Sequence, residues 1–353
     1  MSATKNSWLT SDTDRAGILV AVISGGRPEL KQRPTHKFLP RLHDAGINDI
    51  VWVVSDRDAP RYESDGHEMV VYSREWAEEY AATHWLLPGQ PVPGGFLGAF
   101  PGREWACREA ERRGCWAVMQ LDDNIVRLAF PRGAAASFEI GRRMGQLAGF
   151  ADLIAAVTLS TNGRMVGANL DAIPYVKLRV CRAGFTYSLF LEKVGAGREE
   201  WYGPFEDDIT HGFQYGTRSD GAVPIVLPLL RYMKTGVREK ATGMRAAYDN
   251  TRSVQLQRMF PESAKVGIRS KHSNGKGEAR VFHTMLPGAI RNRMVVTDNE
   301  LFGNVKTRME DLLIEWRRES EAMTRAKIQA RSQGKGQRRF VKNQFTGERS
   351  KPA

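Results

Sequence analysis

Trp116-Ala117-Val118-Met119-Gln120-Leu121-Asp122-Asp123-Asn124 is an almost wholly apolar run that stops on two acids and an amide. A strand with no polar alternation is buried on both faces, as strands of parallel sheets are. Similar runs precede it. Ile18 to Ile23 ends in Ser24-Gly25-Gly26-Arg27, Ile50 to Val54 ends in Ser55-Asp56, and Met69 to Tyr72 is shorter. Between the first two, Pro34 to Ala45 has helical spacing, with Phe38, Leu39, Leu42 and Ala45 on one face. Pro34 suits a first helical turn and Gly46 a C-cap. Arg103 to Arg113, closed by Gly114, is a further helix candidate. The alternation predicts an α/β fold with a mixed, mainly parallel sheet flanked by helices. Open parallel sheets bind ligands at the C-terminal ends of their strands. Ser24–Arg27, Asp56 and Asp122–Asn124 are therefore expected on one rim.

Beyond residue 150 the pattern is less regular. Phe150 to Leu159 reads as a helix, Lys177 to Leu191 as a hairpin or strand pair, and Pro224 to Leu230 as a strand. Glu206, Asp207 and Asp208 open a helix that continues through Ile209 to Tyr215, where acids suit the helix dipole. Glu300 to Arg325 is a long charged helix with Leu301, Val305, Met309, Leu312, Leu313 and Trp316 on its apolar face. Leu86 to Gly102 is rich in Pro and Gly and reads as a long loop or lid.

The chain has 353 residues and a net charge of +12. A surplus of that size suits polyanions or phosphate-bearing substrates. It is concentrated at the end: from Ser320 to Ala353 there are nine Lys/Arg against Glu321 and Glu348. That tail, with Lys335, Arg338, Arg339 and Lys342, is expected to be mobile and to meet nucleic acid. Cys107, Cys115 and Cys181 form neither a disulfide framework nor a zinc spacing, which fits a reducing cytoplasm. No signal peptide and no membrane-spanning run are visible.

Acids at a strand end can offer oxygen ligands to a hard dication beside a diphosphate. They also favour turns and caps. Three consecutive acids at Glu206–Asp208 exceed what a cap needs, and one of them can take a proton from an acceptor hydroxyl. Ser24, Gly25 and Arg27 can bring amides and a guanidinium to a phosphate. Neither a dinucleotide fingerprint nor a Walker sequence is present. Asp56 can accept bonds from a base or ribose, or begin a turn. His272, in a basic Gly-containing loop, is a candidate late metal ligand or phosphate contact. His283 reads as a strand or core residue, and His211 faces either the site or the core. Trp76, Tyr80, Trp85, Phe96 and Phe100 suit core packing, with stacking on a sugar or base as the alternative.

At these residues the chain resembles GT-A glycosyltransferases. The wording Gln120-Leu121-Asp122-Asp123-Asn124 with Phe205-Glu206-Asp207-Asp208-Ile209 is similar to that of the phage-type glycosyltransferases associated with TET/JBP dioxygenases. The likeness spans roughly residues 15 to 290 as a layout. It implies a UDP-sugar donor held with Mn²⁺ or Mg²⁺ and a hydroxymethylated pyrimidine in DNA as acceptor. It further implies action after a base-hydroxylating dioxygenase, in the host cytoplasm if the chain is phage-encoded. On this reading Asp122 and Asn124 take the outer positions of an Asp-x-Asp motif and Asp207 or Glu206 is the base. Asn124 departs from the pattern: a neutral amide binds a dication less tightly, and Asp123 is the alternative ligand. The implied layout is a flexible N-terminus over residues 1–15 and a catalytic domain over 16–298. Its nucleotide-sugar half spans about 16–125 and its acceptor half about 126–298. A C-terminal helix over 299–325 and a basic tail over 326–353 follow. The competing readings are a GT-A enzyme acting on a protein or glycan, a nucleotidyltransferase, and a non-catalytic nucleic-acid-binding protein whose acids are caps.

Overall fold

The computed structural model describes residues 8–85, 97–133, 136–139, 146–170, 179–204, 206–235, 251–270, 279–286 and 288–345. A short helix, Asp12–Ala16 (α1), leads into the sheet. Ile18–Ile23 (β1), Ile50–Ser55 (β2), Glu68–Tyr72 (β3) and Ala117–Asp122 (β4) form the strands expected from their apolar runs. They lie in the order β3-β2-β1-β4, all parallel. The sheet then continues through Leu189–Lys193 (β9), Gly163–Leu170 (β7), Val223–Lys234 (β10), Ile125–Gly133 (β5) and Ala136–Glu139 (β6). Arg182–Ala183 (β8) adds a short pairing to β10. β7 and β10 run with the first four strands, whereas β9, β5 and β8 run against them. The architecture is therefore mixed α/β with a mainly parallel sheet flanked by helices. Ala264–Ser270 (β11) and Ala279–Met285 (β12) form a separate antiparallel pair, with His283 opposite Val266.

Both sheet faces are covered, which explains the lack of polar alternation. Ile18, Val20 and Val22 of β1 pack on one face with Phe38, Leu39, Leu42 and the helix Gln146–Ser160 (α4). Leu19, Ala21 and Ile23 pack on the other with the helices Arg74–His84 (α2) and Phe100–Arg112 (α3). The helix Asp207–Gly216 (α5) joins that second face through Tyr215.

Three expectations change. Pro34 to Ala45 is not one helix but three 3₁₀ turns, Pro34–Lys37, Leu39–Arg41 and His43–Ala45. Pro40 has no N–H to donate, so an α-helical ladder cannot run through it; the apolar face is buried all the same. Lys177 to Leu191 does not form a hairpin, because β8 pairs with β10 while β9 is inserted between β4 and β7. The C-terminal helix does not stop near Arg325 but runs from Asn299 to Phe345. Its 47 residues span about 70 Å at 1.5 Å per residue. Phe302, Val305 and Met309 bury its first turns in the core, and its last turns carry Lys335, Arg338, Arg339 and Lys342. Among the described residues, no helix is long and apolar enough to cross a membrane.

Candidate active site

Parallel strands end, and antiparallel strands begin, on the same rim. That places Ser24 after β1, Asp122 at the end of β4, Lys234 at the end of β10 and Ser188 just before β9 side by side. Lys234 Nζ donates to Asp122 Oδ2 at 2.9 Å and to Ser188 Oγ at 2.5 Å. Arg103, one turn into α3, donates from Nη2 to Asp122 Oδ1 at 2.9 Å. Its Nε donates to Asp207 Oδ2, also at 2.9 Å. One guanidinium, only 3% exposed, thus joins the two acidic clusters. The rings of Phe190 and Trp201 lie 5.6 and 5.3 Å from it and shield it from water.

The electrostatics divide the acids. Burial pushes the Asp122 carboxyl up, but Lys234 and Arg103 outweigh it and hold the group well below the usual carboxylate range. Asp208 is the opposite case. Burial, and then the charge of Asp207, push it up to about 8 against the pull of Arg103. Asp208 therefore keeps its proton well above the usual carboxylate range. Glu206 precedes them with φ 52° and ψ 33°, the left-handed region that a non-glycine residue seldom adopts. It makes no side-chain capping bond, so the cap reading does not account for it.

Asp123 turns the other way, into the fold, and is 1% exposed. Ser24 Oγ donates to its Oδ2 at 2.6 Å, and Arg27 Nη1 pairs with its Oδ1. Burial raises its carboxyl to about 6 despite those partners. Tyr62 Oη lies 2.9 Å from Ser24 Oγ and accepts from the Arg27 amide, closing a small network around Gly25 and Gly26. Thr35 pins the turn below: its Oγ1 donates to the Asp122 carbonyl at 2.7 Å and accepts from the Ile125 amide at 2.9 Å. Asn124 Nδ2 donates to the Thr235 carbonyl, while its buried Oδ1 has no hydrogen-bond partner among the described residues. Asp56 caps α2 by accepting from the Arg74 amide at 3.0 Å, and it is Asp58 that reaches the Gly26 amide at 2.9 Å.

The dication implied by the resemblance meets an occupied set of ligands. Both oxygens of Asp122 are held by cations, and both of Asp123 by Ser24 and Arg27. Among the described residues, no three His, Cys, Asp or Glu side chains form a metal-binding group. As packed, this turn does not fit a metal; Arg103 and Lys234 provide the positive charge there. His272 lies outside the described residues.

The remaining candidates separate cleanly. His211 is fully buried and faces the core, where its Nε2 lies 2.6 Å from Glu192 Oε1. Trp76 stacks on Tyr80 at 5.3 Å and Tyr80 on His84 at 3.9 Å, so these rings pack on each other; Phe96 lies outside the described residues. Sequence reading missed Arg103, Lys234, Ser188, Tyr62 and Thr35. Lys234 carries the same signal as Asp122, a charge closing an apolar run. Arg103 carries no signal, because an arginine near a helix start is ordinary.

No protein-family model and no curated protein matches this sequence. Among solved structures it is similar to a mycobacterial protein, with a TM-score of 0.43 and 13% identity over 80% of this chain and 91% of that one. It is also similar to glucosyl-3-phosphoglycerate synthase from Mycobacterium tuberculosis, solved with Mn²⁺, UDP-glucose and phosphoglyceric acid. There the TM-score is 0.40 and the identity 13%, over 78% of this chain and 89% of that one.

Proposed function

We propose that this chain is a nucleotide-sugar glycosyltransferase. The observation that carries the reading is Arg103, which joins Asp122 at the end of β4 to Asp207 of α5 on the rim where the Ser24–Arg27 turn leaves β1. The donor is read as a UDP-sugar and the acceptor as a hydroxymethylated pyrimidine in DNA. The donor's diphosphate is read at the Ser24–Arg27 turn, where Arg27, paired with Asp123, brings a guanidinium to the rim. Lys234, a third exposed, supplies positive charge next to it.

The Asp207/Asp208 pair takes the proton of the acceptor hydroxyl. The freed oxygen forms the new bond to the anomeric carbon. The bond from that carbon to the diphosphate oxygen breaks, and the nucleoside diphosphate leaves with its electron pair. The basic helix that ends at Phe345 supports a DNA acceptor, because phosphate contacts dominate affinity for duplex. A base inside a duplex must also be extruded to reach a rim of this kind.

The test is mass spectrometry of nucleosides after hydroxymethylated DNA is incubated with a panel of nucleotide sugars. A sugar-bearing nucleoside formed by the wild type and absent with Asp207→Asn is the expected result. Transfer to a protein or glycan but never to DNA would keep the reaction and overturn the acceptor. A nucleoside triphosphate consumed in place of a nucleotide sugar would favour a nucleotidyltransferase. Absence of UDP-sugar binding by calorimetry would overturn the reading altogether.

A further inference from the structure

Behind the acids lies a second polar cluster that the reaction above does not use. Glu192, on β9, is fully buried in the middle of the sheet, opposite Val118 of β4 and Met165 of β7. An ionised carboxylate there is tolerable only if its lone pairs are filled. They are. Oε1 accepts from His211 Nε2 at 2.6 Å and from Tyr215 Oη at 2.7 Å. Oε2 accepts from Trp201 Nε1 at 3.2 Å, with Cys107 Sγ at 3.5 Å. Burial pushes the carboxyl up, but His211 and the other donors outweigh it and hold the group low, so it stays charged.

The spacing of these partners gives the cluster its meaning. Asp207, His211 and Tyr215 recur every four residues and so form one stripe of α5. On α3, Arg103 and Cys107 are likewise four apart. Each stripe therefore has one end at the acids and the other at Glu192. Trp201 completes the link: its ring stacks on His211 at 3.9 Å and shields Arg103. The loop between Trp201 and α5 is also seated closely, since a side chain at Gly203 would collide with the Phe100 ring.

We infer that Glu192 is a positioning residue: it clamps α5, α3 and Trp201 to the sheet so that Asp207 and Asp208 are held at the acceptor. The inference rests on the reading of those acids as the proton-accepting pair. Glu192 itself touches neither substrate. Its charge matters because four donors converge on it; an amide in its place presents N–H groups to donors and leaves at least one of them unpaired.

The experiment is Glu192→Gln in the full-length protein. Calorimetric binding of UDP should match the wild type, because the donor turn lies on β1 and β4. The turnover number kcat should fall about tenfold or more, as for a slightly misplaced catalytic group. The donor KM should stay within about twofold, and the apparent pKa of the kcat profile should move. Should Glu192→Gln fail to fold, Tyr215→Phe removes a single donor and keeps the ring; a smaller fall in kcat with unchanged UDP binding is expected from it. A folded variant with wild-type kcat and an unmoved pH profile overturns the inference, and so does a loss that appears only in KM. If the wild type itself transfers no sugar, the proposed reaction fails. The clamp is then read by hydrogen exchange at the α5 amides of His211 to Tyr215. A rise over the wild type there that β1 does not share supports it in Glu192→Gln, and unchanged exchange overturns it.

Discussion

Asp122 and Asp207 never touch, yet both receive a hydrogen bond of 2.9 Å from the one guanidinium of Arg103. A strand end and a helix start far apart in the chain are thereby fixed at one spacing. The arrangement makes Arg103 the link between the two acidic clusters.

Arg103→Met should therefore cost both stability and transfer. Removing Arg103 leaves Asp207 without its cation and Asp122 with Lys234 alone, and breaking a buried ionic cluster in this way costs roughly 3–5 kcal/mol. Urea unfolding followed by tryptophan fluorescence measures it. Arg103→Lys restores the charge but cannot bridge two carboxylates in fixed planar geometry, so transfer should stay low even where stability partly recovers.

The pH dependence follows from Asp208, pushed up to about 8 by burial and by Asp207. Transfer should rise with pH, with an apparent midpoint near that value, and Asp208→Asn should lose the transition. Stability should move the opposite way. A carboxyl whose folded pKa lies above its unfolded value of about 3.9 keeps its proton in the folded state after the unfolded chain has lost it. Stability then falls as pH rises from about 4 towards 8. Thermal melts of Asp208→Asn across that window should be flatter than those of the wild type.

Lys234→Met tests the cation beside the proposed donor site. It frees one oxygen of Asp122 and removes the charge next to Ser188. Transfer should fall by about tenfold or more, since electrostatic groups of this kind carry much of a phosphate-leaving reaction. Added Mn²⁺ should stimulate the variant more than the wild type. An equal response of both proteins to Mn²⁺ and to a chelator would show that Lys234 does not stand in for a dication.

The C-terminal helix gives a fourth test. Among the described side chains, Leu301, Phe302, Val305, Met309 and Leu312 pack on the core, and Ile328 is 63% exposed. Removing residues 320–353 should change folding stability by no more than about 0.5 kcal/mol. Binding to duplex DNA should weaken, and the slope of log affinity against log salt should flatten by about 0.9 for each phosphate that is no longer neutralised. Unchanged salt dependence would argue for an acceptor other than DNA.

The strands at the heart of the sheet were legible from sequence because burial on both faces leaves a run with nowhere to place a polar residue. Ile18–Ile23, Ile50–Ser55 and Ala117–Asp122 all follow that rule, and their shared direction put Ser24 and Asp122 on one rim. The 3₁₀ turns around Pro40 were less legible, since periodicity alone does not show where a missing N–H breaks a helix.

What the sequence determined by itself, then, was the set of parallel strands β1 to β4, their shared rim and the two acidic clusters. Local composition dictates those, through which residues avoid water and which chain ends carry charge. Only the tertiary structure decided that Arg103 and Lys234 neutralise Asp122, that Asp123 turns into the fold, and that Glu192 anchors the helix bearing Asp207. Those outcomes depend on which charges meet after distant segments pack. Ion pairing and burial are set by distances in space, and spacing along the chain does not encode them.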